Sequence, residues 1–243
     1  MRKLSEGNPL ELASVCEGLP AEEVLARVLR AAPRTVLACS FGAEDMVLLD
    51  MVMRIDRKAT VFYLDTDLLF PETYALRDRA VERYGIPGLR RVAPELTVEE
   101  QAQRHGDRLW ERDPDACCAL RKVRPLENIL AQFDAWITGI RRDQSPAREN
   151  AQVVEWDARF GLIKVNPLAA WTIDRVWTYI HAHCVPYNPL HDHGYPSIGC
   201  LHCTRPVKPG EDPRSGRWSN FAKTECGLHA ARPEDSAKEA AKG

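Results

Sequence analysis

The chain has 243 residues, 44% of them hydrophobic, and its 33 Lys and Arg are set against 35 Asp and Glu. At roughly 100–200 residues per domain this is one large domain, or one domain with an appendage, with room for a substantial core. A formal net charge of −2 gives no global attraction for nucleic acid or for a membrane surface, so bulk polyanion binding is excluded as a reading.

The opening segment MRKLSEGNPLEL lacks the apolar run of a secretory signal, and no stretch approaches the ~18 consecutive apolar residues of a membrane span. The expected setting is the cytoplasm. There, 8 cysteines point to metal ligands, redox groups or small buried hydrophobes, and not to a disulfide framework.

In chain order, Val24, Leu25, Val28 and Leu29 share one face of a predicted helix over 20–32. Thr35-Val36-Leu37-Ala38-Cys39 reads as a strand ending in the small-residue loop Ser40-Phe41-Gly42, and an apolar helical stretch follows over 46–55. The pattern repeats with a strand over 60–64, the loop Asp65-Thr66-Asp67, and a helix from Pro71 to about Tyr84 before Gly85. A third strand over 89–92, a helix over 98–105, a helix over 121–132 with a kink or restart at Pro125, and a strand over 135–138 complete the series. Strand and helix in alternation predict βαβ units, hence an α/β fold with a parallel sheet flanked by helices. Ligands of such sheets bind beyond the strands' carboxyl ends, here Ser40 to Gly42, Asp65 to Asp67, and Gly139 onward.

Past residue 150 two short strands over 153–156 and 162–165 precede a helix over 173–183. From Val185 the chain is loop-rich, with Pro186, Pro189, Pro196, Pro206, Pro209 and Pro213, and a metal or ligand is expected to order it. Residues 1–220 are expected to form one catalytic domain. Residues 221–243 are expected to be a flexible tail carrying Cys226, its polar end past His229 too poor in apolar residues to pack.

Three groups of residues carry chemistry. Cys200-Leu201-His202-Cys203 is a C-x-x-C pair, able to converge on one metal or to act as a redox dithiol. Cys117-Cys118 offers adjacent thiols roughly 100° apart on a helix, a spacing better suited to different irons of an iron–sulfur cluster than to one zinc ion. Coincidental core packing is the alternative. Cys16, Cys39 and Cys184 read as buried packing residues.

The second group is cationic. Lys122 lies one helical turn after Cys118, Arg141, Arg142 and Arg148 follow the strand over 135–138, and Arg214 and Arg217 come later. Arginine suits bidentate recognition of phosphate or sulfate, although a solvated basic surface is its more common use. The loop from Ser40 to Asp45 can hold a phosphate at a helix N-terminus, and it lacks the Gly-Lys-Ser/Thr ending of a Walker A loop.

The third group is Glu225-Cys-Gly-Leu-His229. An isolated cysteine beside a histidine and an arginine-rich segment fits a nucleophile whose thiolate is favoured by positive charge. Without a resolving cysteine in the tail, Cys226 would need an external dithiol to release a sulfur product. A leftover surface thiol is the plain alternative.

These residues, with Leu64-Asp-Thr66, Phe70-Pro-Glu-Thr-Tyr74, Arg121-Lys122-Val123, Thr204-Arg-Pro206 and Gly216-Arg-Trp218, resemble the assimilatory adenylyl-sulfate reductases of the phosphoadenylyl-sulfate reductase family from about Val36 to His229. The resemblance implies an adenine-nucleotide α-hydrolase-like fold with a modified phosphate loop. It implies a [4Fe-4S] cluster on Cys117, Cys118, Cys200 and Cys203, with Cys226 and His229 catalytic. Substrate binding would fall to Ser40, Phe41, Gly42, Asp65, Thr66, Lys122, Arg148, Arg214 and Arg217. The implied reaction is reduction of adenosine 5′-phosphosulfate to sulfite and AMP through an S-sulfocysteine, with thioredoxin or a glutaredoxin-like dithiol as donor and with room for a homo-oligomer. The rivals are the 3′-phosphorylated nucleotide as sole or second substrate, an ATP-dependent ligase or tRNA-thiolating enzyme, and a zinc-binding module. One departure stands out: the family usually has Gly where this chain has Asp67, which puts the local loop geometry in question.

Overall fold

The computed structural model describes residues 7–223 and 225–228. The predicted apolar runs pair into one sheet: β1 (Thr35–Ala38), β2 (Thr60–Leu64), β3 (Leu89–Val92), β4 (Ala135–Ile137), β5 (Val154–Asp157) and β6 (Leu162–Val165). Their order is β3-β2-β1-β4-β6-β5. All neighbours run parallel except the β5–β6 pair. Central β1 and β4 are almost wholly apolar because helices cover both faces, and alternate residues point to opposite layers. Thus Leu37 and Ile137 join the core beneath the N-terminal helices, while Val36 and Trp136 pack on the other face with Leu126 and Leu130.

The helices are α1 (Gly7–Cys16), α2 (Ala21–Ala31), α3 (Ala43–Ile55), α4 (Pro71–Tyr84), α5 (Val98–His105), α6 (Leu109–Arg112), α7 (Pro114–Cys118), α8 (Arg124–Leu130) and α9 (Ile173–Ala182). Pro71 starts α4 and Gly85, at φ 58°, ends it, as the sequence predicts. None of the described helices is long and apolar enough to cross a membrane.

Three features depart from the sequence reading. Helix α1 has no local signal, since Gly, Asn and Pro open it; packing of Leu12 and Cys16 into the core overrides propensity. The predicted helix over 121–132 is split: a π-helical turn spans Ala119–Val123, and Pro125 lies in the first turn of α8. Proline has no N–H to give the carbonyl four residues back, and its ring crowds that carbonyl, so the ladder widens there. Cys184 is exposed, against the expectation of a packing residue, because the chain turns outward at φ 50° just past α9; Cys16 and Cys39 are buried as expected.

From β1 the chain runs out through β2 and β3, then returns to place β4 on the other side of β1. The carboxyl ends of β1 and β4 therefore flank the crevice at the switch point, where an open α/β sheet binds ligands.

Candidate active site

The loop after β1 is closed by its own carboxylate. Asp45 in the first turn of α3 accepts the Ser40 backbone N–H at 2.7 Å and the Ser40 hydroxyl at 2.6 Å. Phe41, at φ 62°, turns the chain and stacks edge-on against Tyr63. Gly139 from the β4 loop lies so close that a Cβ would overlap the Asp45 carboxylate and meet Glu44 Cβ at 2.9 Å. Burial pushes the Asp45 carboxyl up from 3.8 to about 6, although the Ser40 hydrogen bonds oppose the shift.

A raised folded pKa makes the protonated form the stabilising one. Its contribution is complete below the unfolded value of 3.8 and is lost as pH rises through about 6. Asp45→Asn is expected to remove this loss, about 2–3 kcal/mol at most. Urea unfolding midpoints at pH 4.5 and 7 should therefore differ less in the variant than in the parent protein, and an equal difference would show that the carboxyl titrates normally.

The β4 loop sorts its arginines. Arg141 is buried and pairs with Glu44 at 3.0 Å and with Asp143, while Gln144 also donates to Glu44 at 3.0 Å. Arg142 Nε donates to the Ala151 carbonyl at 2.8 Å. These two cations hold the loop together. Arg148 instead donates to the Glu225 carboxylate through Nε at 2.9 Å and Nη2 at 2.7 Å, and Arg214 meets the same carboxylate at 3.1 Å. Glu225 stays below the ordinary carboxylate range: burial raises it, but the Arg148 hydrogen bonds and both guanidinium charges outweigh burial.

Arg217 is buried, lies 4.5 Å over the Trp218 ring and donates to Ser197 Oγ at 3.2 Å. Its Nε is buried without a hydrogen-bond partner, and among the described residues no carboxylate pairs with it. Gly199 makes room for this guanidinium, which a Cβ there would overlap. Lys122 sits beside Cys200, Cys226 and Arg217; burial would lower its pKa, but the neighbouring cysteine sulfurs, Cys200 first, raise it.

Cys117, Cys118, Cys200 and Cys203 line one small cavity together with Lys122, Arg217 and Trp218. The first two end α7, and Cys200 is bridged to Leu69 just past β2. Cys203 closes a 3-10 turn, its carbonyl accepting Trp218 N–H at 3.1 Å. Burial and then the neighbouring thiols push Cys117 up to about 12 and Cys203 up to about 11. Cys200 shifts down: burial opposes, but Lys122, the Thr66 hydroxyl at 3.3 Å and Arg217 prevail. Among the described residues no three His, Cys, Asp or Glu side chains meet around a point suited to a single metal ion.

At the end of β2, Asp67 adopts φ 55°, the left-handed region that favours glycine. Its carboxylate is gripped by Arg121 at 2.7 Å and Arg91 at 2.6 Å. Asp65 accepts from the Tyr74 hydroxyl at 2.7 Å and from Arg91 at 2.6 Å.

The crevice opens as a cleft of about 1260 Å³, ample for a mononucleotide. Ser40, Phe41, Gly42, Lys122, Arg148, Arg214, Arg217 and Cys226 all line it. Asp65 and Thr66 do not; they face the Asp67 loop and Cys200 instead. His229 lies outside the described residues. Sequence reasoning gave no role to Glu225, Glu44, Gln144 or Arg121, or to the cleft wall of Trp177, Tyr187 and His191. Only Glu225 had a signal, its place beside Cys226.

Residues 34–206 match the family described as the phosphoadenosine phosphosulfate reductase domain. A Halalkalibacterium halodurans protein named adenosine 5′-phosphosulfate reductase is 60% identical over 196 residues, 81% of this chain and 85% of that protein. A Gloeobacter violaceus protein named phosphoadenosine 5′-phosphosulfate reductase is 51% identical over 222 residues, 90% of this chain and 92% of that protein. The crystal structure of phosphoadenylyl-sulfate (PAPS) reductase from Candida auris, a phosphate complex, superposes with a TM-score of 0.73 at 34% identity, covering 84% of this chain and 99% of that one.

Proposed function

The chain belongs to the phosphoadenosine phosphosulfate reductase family, and from that premise we propose that it reduces adenosine 5′-phosphosulfate to sulfite and AMP. The observation that carries this is the seat of Cys226, in one cleft with the Ser40–Gly42 loop and with Lys122 and Arg217, two cations that can take an anion. The loop receives the nucleotide at the switch point, and the two cations hold the phosphosulfate.

The Cys226 thiolate attacks the sulfate sulfur, the bond from that sulfur to the bridging phosphate oxygen breaks, and AMP leaves with the electron pair. A thioredoxin or glutaredoxin-like dithiol then attacks the Cys226 sulfur and expels sulfite; its second thiol resolves the mixed disulfide, so the donor supplies both electrons. Cys226 returns as a thiol, and His229 is proposed to serve proton transfer there.

The donor set fits a [4Fe-4S] cluster, since four cysteines line one cavity and the adjacent Cys117 and Cys118 can serve different irons. Held by these four cysteines, such a cluster would supply local charge beside Lys122 and no electrons to sulfur. Residues 1–220 act as the catalytic domain and 221–243 as the tail, in a cytoplasmic enzyme that can form homo-oligomers. The Gloeobacter violaceus relative's name favours a second reading, in which the 3′-phosphorylated nucleotide is also a substrate.

Full-length protein purified without oxygen, given reduced thioredoxin and each nucleotide in turn, tests these readings. The expected result is sulfite with the higher kcat/KM on adenosine 5′-phosphosulfate, from protein holding about four irons per chain. No sulfite from either nucleotide would overturn the function, and zinc in place of iron would overturn the cluster.

A further inference from the structure

The carboxylate next to the nucleophile is bound where a substrate anion is expected. Glu225 is about one-seventh exposed and takes a two-point grip from Arg148, a third contact from Arg214 and a fourth from the Ser145 hydroxyl at 3.1 Å. Arg148 is fixed in turn: its Nη1 donates to Gln144 Oε1 at 2.5 Å, and Gln144 is tied to the Gly139 carbonyl at 3.1 Å and to Glu44. Each nitrogen of the Arg148 guanidinium therefore donates within the protein, using three of its five N–H groups.

The other side of Cys226 is held as well. The Gly227 carbonyl accepts from Arg159 Nη1, and Leu228 packs against the cluster of Phe62, Leu126 and Trp136. With both flanks seated, Cys226 lines the cleft beside Lys122. The state in which Glu225 is bound is thus the state that presents the thiol.

We infer that Glu225 is a positioning residue: its ion pairs with Arg148 and Arg214 seat the Cys226 thiol in the cleft. The turnover part of this inference rests on the proposed function; the seating itself does not. Releasing the oxidised or sulfonated thiol to an external dithiol then requires the same latch to open.

Two measurements on the full chain test this, using Glu225→Gln, Arg148→Ala and the double variant. The first is trypsin cleavage after Lys223 in the absence of nucleotide, which reports the population of the open tail. Each single variant is expected to be cleaved at least about tenfold faster, equivalent to ~1.4 kcal/mol of local stability. The double variant should be cleaved more slowly than the product of the two single effects, because Glu225 and Arg148 share one ion pair while Arg214 and Ser145 contact Glu225 separately.

The second is turnover on adenosine 5′-phosphosulfate, where Glu225→Gln is expected to lower kcat and leave KM unchanged. A lower KM with kcat retained would overturn the inference, since Glu225 would then be a competitor that the substrate displaces. Unchanged cleavage in the single variants would also overturn it. If the parent protein forms no sulfite, the functional reading fails while the cleavage experiment still decides the latch.

Discussion

Cys226→Ser should bind nucleotide as the parent protein does and form sulfite slower by at least about 10⁴-fold. The expectation follows from what the position must supply. A thiol ionises within reach of neutral pH and is intrinsically nucleophilic, whereas a serine hydroxyl does neither without a base aimed at it. Even a serine that captured the sulfuryl group would form a sulfate ester, which no dithiol can reduce. Lys122, Arg217 and the Ser40 loop are untouched by the change, so an equilibrium titration with AMP should be unaltered. Sulfite at the parent rate would end the nucleophile assignment, and loss of AMP binding would show that Cys226 shapes the cleft instead. Cys184→Ala is the matched control: that thiol is exposed just past α9, outside the cleft lining, and its loss should leave turnover unchanged.

The grouping of Cys117 and Cys118 with Cys200 and Cys203 was legible because it rests on local spacing. Two adjacent thiols, a C-x-x-C pair and an isolated cysteine are each visible within four residues, and the fold brings the first two sets to one cavity. The strands were legible for a related reason, since apolar runs as short as Thr60–Leu64 keep their character whatever surrounds them. The arginines were not. Arg141, Arg142 and Arg148 look alike in sequence, yet Arg141 is neutralised by Glu44 on α3, Arg142 is spent on a backbone carbonyl, and Arg148 holds the tail. No periodicity reports a partner placed by tertiary structure. The same holds for α1, whose poor helix-forming start is overruled by packing, and for the π turn, which Pro125 forces without announcing its geometry.

Arg121→Ala is expected to cost about 3–5 kcal/mol of stability, because a buried guanidinium is removed and its buried acceptors cost about 1–3 kcal/mol each when left unpaired. Asp67 explains why so much hangs on one side chain. An aspartate at φ 55° is strained where glycine would rest, and the loop is held there from outside. The Arg121 guanidinium, 1% exposed, donates to the Thr66 carbonyl at 2.6 Å, to Asp67 at 2.7 Å, and to the Leu96 carbonyl and Gln101 Oε1 at 3.2 Å each. Alanine would leave the Thr66 and Leu96 carbonyls and Gln101 Oε1 without this donor, and Asp67 with Arg91 alone. For a chain of this size the loss corresponds to a fall of roughly 6–15 °C in melting temperature, readable by calorimetry. Arg121→Lys should recover little, since one ammonium cannot span four acceptors placed for a planar fork. Arg91 also reaches Asp67, but its side chain is 52% exposed, so Arg91→Ala should cost no more than about 1 kcal/mol. Equal losses from the two variants would show that the loop is not held by the buried guanidinium. The effect should extend to the cysteine cavity. Thr66 carries both the carbonyl that Arg121 holds and the hydroxyl against Cys200, so a loosened loop is expected to lower the content of the proposed cluster as well as the stability of the variant.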